Sequence, residues 1–397
     1  MRILVLAPHP FFQARGTPLA VRTVLEFLSS RGHEIDLLTF HEGENVAIPN
    51  CRIHRIASPL GIRNIRPGFS FKKVVCDLFM FAKCLRMARR NRYDLVHAVE
   101  ESAFIAAAMQ TITGIPYVYD MDSSLAEQMV DTYPYLQFAL PTLRRCEAFA
   151  VRHSLGVLAV CAALGDLARG HAPDKTVGLV EDTTLLPAGQ GPGSNGHGSD
   201  PLLPEAVGLQ SPVAMYVGNL EHYQGIGLLL DAFRNALSRV PEAHLVIVGG
   251  MGDDINHYRR RTQQLGIASR VHFMGPRPIN LLNGLLKRAH VLVSPRLKGL
   301  NTPMKIYSYL DSGTAVLATR LPTHTQVLDD RTAYLVAPNP EALGQGLVDL
   351  LNDPGLRARL ATQAKAYVQR EFTPEAAHRK LGSFYSTMEA KAAGARA

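Results

Sequence analysis

"SPRLKGLNTPMKIYSYLDSGTAVLATR", residues 294–320, decides how the chain folds. An apolar strand ends at Ser294, a loop follows with Arg296 and Lys298, a helix is predicted to open at Pro303, and "TAVLAT" begins the next strand. Strand, helix and strand in so short a stretch is a parallel βαβ unit. Pro303 suits a first helical turn, where its missing N–H costs nothing, and Thr302 or Asn301 would cap the helix. Arg296 then stands at the C-terminal end of a strand, where ligands of α/β sheets bind. Lys305 falls in the first turn, where the helix dipole disfavours a cation unless an anion joins it.

Working outward, the same alternation fills both halves of the chain. "RILVLA", a helix through "TPLAVRTVLEFLSSRG", "HEIDLLTF", a helix near 70–91, "YDLVHAV", a helix over "AFIAAAMQTI" and "PYVYDMD" form the first series. "VAMYVGNL", "HLVIVGG", "RVHFMG", "HVLVSPR", "TAVLAT" and "AYLVAP" are the strands of the second, with helices between them and two helices after them. Short strands that are apolar throughout belong to parallel sheets covered on both faces. Between the series lies "LLPAGQGPGSNGHGSDPLLPEAVGLQ", rich in Gly, Pro and Ser and without period. It reads as a linker or mobile loop. The expected division is 1–185, a linker at 186–210, 211–372, and a terminal helical segment at 373–397.

Hydrophobic residues make up 47% of 397, which suits a globular chain of about two domains. No apolar run reaches the roughly 20 residues that cross a bilayer. "MRILVLAPHPFF" reads as a first buried strand rather than a signal peptide. Five scattered cysteines, Cys51, Cys76, Cys84, Cys146 and Cys161, lack CxxC spacing. They suggest reduced thiols in a cytoplasmic protein and no zinc site. The net charge of +8 fits a mildly basic enzyme, or attraction to phosphorylated substrates, an anionic membrane or nucleic acid.

Candidate ligand-binding groups cluster at strand ends. Gly16 and Thr17 open the first helix, and a helix N-terminus favours an anion. Asn219 and Gln224 in "YVGNLEHYQG" offer amides without charge. "THTQVL" adds His324 and Thr325. "HAVEES" and "DMDSS" supply Glu100 and Asp122, with His97, which reads equally as a buried, satisfied histidine. No His, Cys, Asp or Glu set has metal-ligand spacing, and no nucleophile elbow appears.

Residues 60–92 are the clearest charge anomaly. Arg63, Arg66, Lys72, Lys73, Lys83, Arg86, Arg89, Arg90 and Arg92 face one acid, Asp77, with Phe69, Phe71, Leu78, Phe79, Met80 and Phe81 among them. This reads as a membrane-surface segment, or else as a helix whose aromatics fill the core beneath a solvated basic face. No nucleic-acid motif accompanies it.

"RGHEIDLLT", "GNLEHYQGIGLLLDAF", "PMKIYSYLDSGTAVLAT" and "AYLVAP" together resemble the retaining family 4 glycosyltransferases of GT-B fold, over nearly the whole chain. The resemblance implies two doubly wound, Rossmann-like α/β domains facing a central cleft, with a terminal helix crossing back to the first. It implies a nucleotide-sugar donor held mainly by the second half and an acceptor held by the first. In such enzymes the leaving diphosphate itself takes the acceptor's proton, so no protein nucleophile is needed. The family's basic pair in "GRLxxxKG" falls here on Asn219 and Gln224. Its E-x7-E pair falls on Leu300 and Ser308, and its N-terminal histidine falls on or near Asp122.

The reading that follows is an enzyme, a hexosyltransferase. It transfers from a nucleotide-sugar, UDP favoured over GDP, to a lipid-linked or envelope-glycan acceptor. It would need no metal or other cofactor and lie on the inner face of the cell membrane through residues 60–92. Arg296 and Lys305 would replace the missing cations at the diphosphate, with Gly16 and Thr17 closing over it. Asn219 and Gln224 would give neutral hydrogen bonds, Ser308 would sit near the ribose, and His324 and Thr325 would add donors. Asp122, with Glu100 as second choice, would orient the acceptor or sugar hydroxyls. The rivals are a catalytically silent GT-B binding protein and a GT-B epimerase of UDP-sugars.

Overall fold

In the computed structural model the chain is described except at residues 14–15, 64, 66–69, 187–202, 205–206, 209–210 and 395–397. Most of the expected linker, with Arg66 and Phe69, lies outside the described residues. The chain forms two compact units, Met1–Asp182 with Pro374–Ala397, and Thr183–Thr373.

The first unit holds β1 (Arg2–Ala7), β2 (Glu34–Thr39), β3 (Cys51–Arg55), β4 (Leu95–Val99), β5 (Tyr117–Met121), β6 (Gly156–Ala159) and β7 (Val177–Leu179). They form one parallel sheet in the order β3-β2-β1-β4-β5-β6-β7. Alternation within β1 shows why its strands are apolar throughout. Leu4 and Leu6 face one core with Met80 and Cys84. Ile3 and Val5 face the other with Leu25, Leu28, Leu381 and Tyr385. Each apolar side chain buried from water contributes ~1.5–3 kcal/mol, so both faces hold helices firmly.

The second unit holds β8 (Val213–Val217), β9 (His244–Val248), β10 (Val271–Gly275), β11 (Val291–Ser294), β12 (Ala315–Thr319) and β13 (Tyr334–Val336). The parallel order is β10-β9-β8-β11-β12-β13. In each sheet the order reverses once, between β1 and β4 and between β8 and β11. Ligand sites of doubly wound sheets lie outside the strand ends at such a reversal.

Three expectations need correction. The helix expected from Pro303 begins at Lys305 (Lys305–Asp311). Neither Thr302 nor Asn301 caps it, because Asn301 binds Arg296 with both its backbone and side-chain oxygens and the Thr302 hydroxyl finds no partner. Three helices, not two, follow β13: Pro340–Asn352, Pro354–Glu371 and Pro374–Gly394. Each starts at a proline, and Asp353 ends one helix and caps the next by accepting from the Leu356 N–H. The third is part of the first unit, packed on Phe27 and through Phe384 on Gly178.

The helix Phe71–Arg90 resolves the anomaly of residues 60–92. Ser70 caps it, and Arg89 and Arg90 end it where the dipole welcomes cations. Cys76, Met80, Cys84 and Met87 form its buried stripe. Of the large apolar residues of the basic segment, Met80 is buried and Phe81 packs partly against the core, whereas three point outward: Phe71 is 80% exposed, Leu78 64% and Phe79 42%. Lys73 does not join them, since it is buried and ion-paired with Glu101. Among the described residues no helix is long and apolar enough to cross a membrane.

Candidate active site

In the second unit the strand-end loops gather two cations on aromatic faces. The Lys305 ammonium lies 3.9 Å from the centre of the Tyr216 ring and donates to Gln224 Oε1 at 3.1 Å. Arg296, 7% exposed, lies over Tyr223, its guanidinium carbon 5.1 Å from the ring centre. Its Nη1 donates to Asn301 O at 2.9 Å and to Thr323 Oγ1 at 3.0 Å. Among the described residues neither cation has a carboxylate within ion-pair distance. Burial, and then the neighbouring Arg296, push Lys305 well below the ordinary lysine value. Burial also lowers Arg296.

Two buried donors, Arg296 Nε and the Thr302 hydroxyl, have no partner. Buried positive charge without a counter-ion is costly, and a bound anion would relieve it. Gly218, directly after β8, leaves room for this arrangement. With φ at +151°, any side chain there would be strained, and a Cβ would come 3.0 Å from Lys305 Nζ and 2.9 Å from the Tyr216 hydroxyl.

Not every residue picked from the sequence reaches this cluster. Gln224 and Lys305 meet, with Arg296 beside them, and Asn219 is exposed next to them, its carbonyl accepting from the Tyr216 hydroxyl at 2.6 Å. His324 is fully buried. Its Nε2 pairs with Ser294 Oγ at 2.9 Å and its Nδ1 donates to Thr319 O at 2.7 Å. Burial pushes it down to about 4, so it is a neutral brace between β11 and β12 and offers no donor to a ligand. Thr325 is exposed, and Thr323, two residues before it, is the hydroxyl that meets the guanidinium. Ser308 is 1% exposed and accepts from the Leu185 N–H at 3.0 Å, so it ties chain to helix and has no surface for a ribose. Tyr216 and Tyr223 were missed as site residues, whereas Thr323 belongs to the "THTQVL" donors read from the sequence. The two tyrosines flanking "VGNLEH" were the available signal, since cations pack on aromatic faces.

The first unit gathers carboxylates instead. Asp122 follows β5, and the nearby Thr17 side chain eases its ionisation, which places two of the predicted residues close together. Gly16 is exposed, with open space where a side chain would begin. Burial, then Asp120, Glu100 and Asp182, push Asp122 well above the usual carboxylate range. Glu100 is held after β4 with φ at +49°, a strained conformation for glutamate, its N–H donating to Asp120 O at 2.9 Å. Burial raises it to about 7, against the pull of Lys73. Asp182, which sequence reasoning did not single out, is raised to about 7 by burial, then by Asp120 and Glu181. Such groups stay partly protonated near neutrality and can donate as well as accept hydrogen bonds. Among the described residues no set of three or more His, Cys, Asp or Glu is placed to hold a metal ion.

Comparison with known proteins gives a consistent picture. Residues 15–177 match the model for Glycosyltransferase Family 4, and residues 211–353 that for Glycosyl transferases group 1. The D-inositol 3-phosphate glycosyltransferase of Corynebacterium diphtheriae is 26% identical, over 97% of this chain and 94% of that protein. The phosphatidyl-myo-inositol mannosyltransferase of Mycolicibacterium smegmatis is 24% identical, over 93% and 90%. Among solved structures, sucrose-phosphate synthase from Thermosynechococcus elongatus superposes with a TM-score of 0.77 at 19% identity, covering 98% of this chain and 99% of that one. Anabaena HepE in complex with UDP-glucose gives 0.72 at 18% identity, covering 97% and 99%.

Proposed function

The chain belongs to the group 1, family 4 glycosyltransferases of GT-B fold, and from that premise we propose that it moves a hexosyl group, with retention, from a UDP-sugar to a lipid-linked or envelope-glycan acceptor. One observation carries this reading. The family's lysine position is Gln224 here, yet the Lys305 ammonium sits 3.1 Å from the Gln224 side-chain oxygen. The charge arrives from another strand's loop and stands beside the same residue. With Arg296 it would bind the donor diphosphate and stabilise it as it leaves, which is where such transfer needs electrostatic help. No protein nucleophile is required if the departing phosphate oxygen takes the acceptor's proton. Asp122, with Glu100, would orient hydroxyls on the acceptor side.

The donor assignment draws support from HepE, a structural neighbour that is solved with UDP-glucose. The acceptor assignment draws it from relatives named for inositol phosphate and phosphatidyl-inositol. Calorimetry with UDP and GDP in a metal-free buffer tests the site. UDP should bind and GDP bind more weakly; a protein that binds neither is the silent GT-B rival. Turnover of free UDP-sugar without any acceptor would favour the epimerase rival.

For the acceptor's location we read the helix Phe71–Arg90 as a peripheral contact with the anionic inner face of the membrane. Exposed Phe71 and Leu78 would insert among the lipid headgroups, and exposed Lys72, Arg86, Arg89 and Arg90 would meet their charge. Each such cation contributes about 1 kcal/mol near an anionic surface. In liposome flotation the protein should rise with phosphatidylglycerol vesicles at low salt, and Phe71→Ser with Leu78→Ser should remove the salt-resistant part. A wild type that stays at the bottom of the gradient sends the acceptor back to solution.

A further inference from the structure

The core of the first unit contains a polar chain that neither substrate assignment uses. Tyr385, on the helix Pro374–Gly394, and His97, on β4, are fully buried, and Asp120, on β5, is 6% exposed. The Tyr385 hydroxyl lies 2.6 Å from His97 Nδ1, and His97 Nε2 lies 2.9 Å from Asp120 Oδ2. Around it the packing is apolar, with Leu381, Phe384 and Met388 in the same cluster. A polar chain there costs desolvation that an apolar trio would avoid.

For a neutral imidazole beside an ionised carboxylate, this arrangement fixes who donates. A neutral imidazole has one N–H. An ionised carboxylate only accepts, so Nε2 carries the hydrogen toward Asp120. Nδ1 then holds the lone pair, and the Tyr385 O–H donates to it. Were Nδ1 protonated instead, Nε2 would turn a lone pair on a carboxylate. Phe27 and Phe384 pack against the Tyr385 ring and keep the hydroxyl in place. At the far end, Asp120 directly precedes Met121 and Asp122, and its carbonyl holds the Glu100 N–H. The chain therefore ends at the strand tips that carry the acceptor-side carboxylates.

We infer that Tyr385 and His97 are positioning residues for those carboxylates: Asp120 sets the His97 tautomer, the Tyr385 hydroxyl holds the ring by donating to Nδ1, and His97 fixes the Asp120 carboxylate beside Asp122. A helix 288 residues away in sequence from His97 thereby helps shape the acceptor side. The inference rests on the reading of Asp122 as an acceptor-orienting group.

Nitrogen-15 NMR of the histidine-labelled full chain tests it without any turnover. His97 should show a pyridine-type Nδ1 and a pyrrole-type Nε2, and Tyr385→Phe should keep that tautomer while shifting the Nδ1 resonance downfield as its hydrogen bond is lost. With a nucleotide-sugar and acceptor, Tyr385→Phe should lower kcat about three- to tenfold and leave the donor KM unchanged. Tyr117→Phe removes an equally buried hydroxyl, bonded to Ala150 O at 2.6 Å, and should change neither readout. The reverse tautomer in the wild type overturns the inference, as does a Tyr385→Phe variant that keeps both spectrum and kcat, or one that Tyr117→Phe matches. Should no glycosyl transfer be found, the imidazole spectrum still decides the tautomer, so the two readings fail separately.

Discussion

The two units carry one architecture, with ionisable groups of opposite kind at their strand ends. Each reverses strand order once, and each places ionisable groups just past its strand ends. Past β4 and β5 stand Glu100 and Asp122; past β8 and β11 stand Gln224 with Lys305, and Arg296. The carboxylates repel one another and are held above the usual carboxylate range, whereas the cations rest on tyrosine rings and, among the described residues, lack counter-ions. The doubly wound sheet thus supplies a place for a ligand, and the loop residues supply its sign. A neutral, hydroxyl-bearing partner suits the first unit and an anion suits the second.

The largest test of this contrast is Asp122→Asn, which keeps shape and hydrogen bonding but removes the titrating carboxyl. Turnover should fall by at least about 10²-fold, the loss expected when a reacting hydroxyl is no longer held in place. Nucleoside-diphosphate affinity, a property of the other unit, should stay the same. A loss of affinity in this variant would break the division of labour.

Next in size, Lys305→Ala and Arg296→Ala should each weaken diphosphate binding by ~10- to 150-fold, since a charge-assisted hydrogen bond contributes ~1.5–3 kcal/mol. Nucleoside alone should bind as before. Calorimetry on both ligands separates a phosphate contact from a general collapse of the loop.

A smaller effect is expected from pH. Lys305 in the free protein is held well below the ordinary lysine value, and a bound diphosphate would raise it. Between those two values the complex holds a proton that the free protein lacks, so affinity should drop as pH rises, by at most about tenfold per unit. Calorimetry in buffers of different ionisation heat should register proton uptake on binding. The sign for stability is opposite. Above its depressed folded value the unfolded chain binds the extra proton, so Lys305 makes the ligand-free unit more stable as pH rises through that window. The Asp122 cluster supplies the contrast, because raised carboxylates gain charge over a rising pH range and should leave diphosphate affinity unmoved.

The smallest expected change is Thr302→Val. The hydroxyl is 4% exposed and unpartnered, so its loss should leave stability within about 1 kcal/mol or raise it slightly. Weaker diphosphate binding in this variant would show instead that the hydroxyl reaches the ligand.

These contrasts were only partly legible in the sequence. The apolar strands and the helices between them announced the parallel sheets, because burial on both faces demands them. β3, "CRIHR", escaped because its edge position leaves it half-exposed and polar. Residues 123–180 escaped too, where short strands such as "GVLA" and "VGL" lie between helices and carry little pattern. At the site, Arg296, Lys305 and Gln224 could be picked because their loops must share one end of a parallel sheet. His324, Thr325 and Ser308 were misjudged because residue type does not say which neighbours will satisfy a polar atom. The Tyr385–His97–Asp120 chain had no local signal, since its members belong to separate elements.

The first unit is completed by residues made after the second. Its sheet face bearing Ile3, Val5, Leu25 and Leu28 is covered in part by Leu381, Phe384, Tyr385 and Met388. A nascent chain released to Thr373 already holds the whole second unit, while the first still shows water an oily face that only the final helix can seal. Synthesis order and completion order are therefore reversed: the N-terminal half emerges first and finishes second. A stop codon directly after Thr373, which would spare the whole second unit, would strand the earlier-made half unfinished and expose it to quality-control proteases.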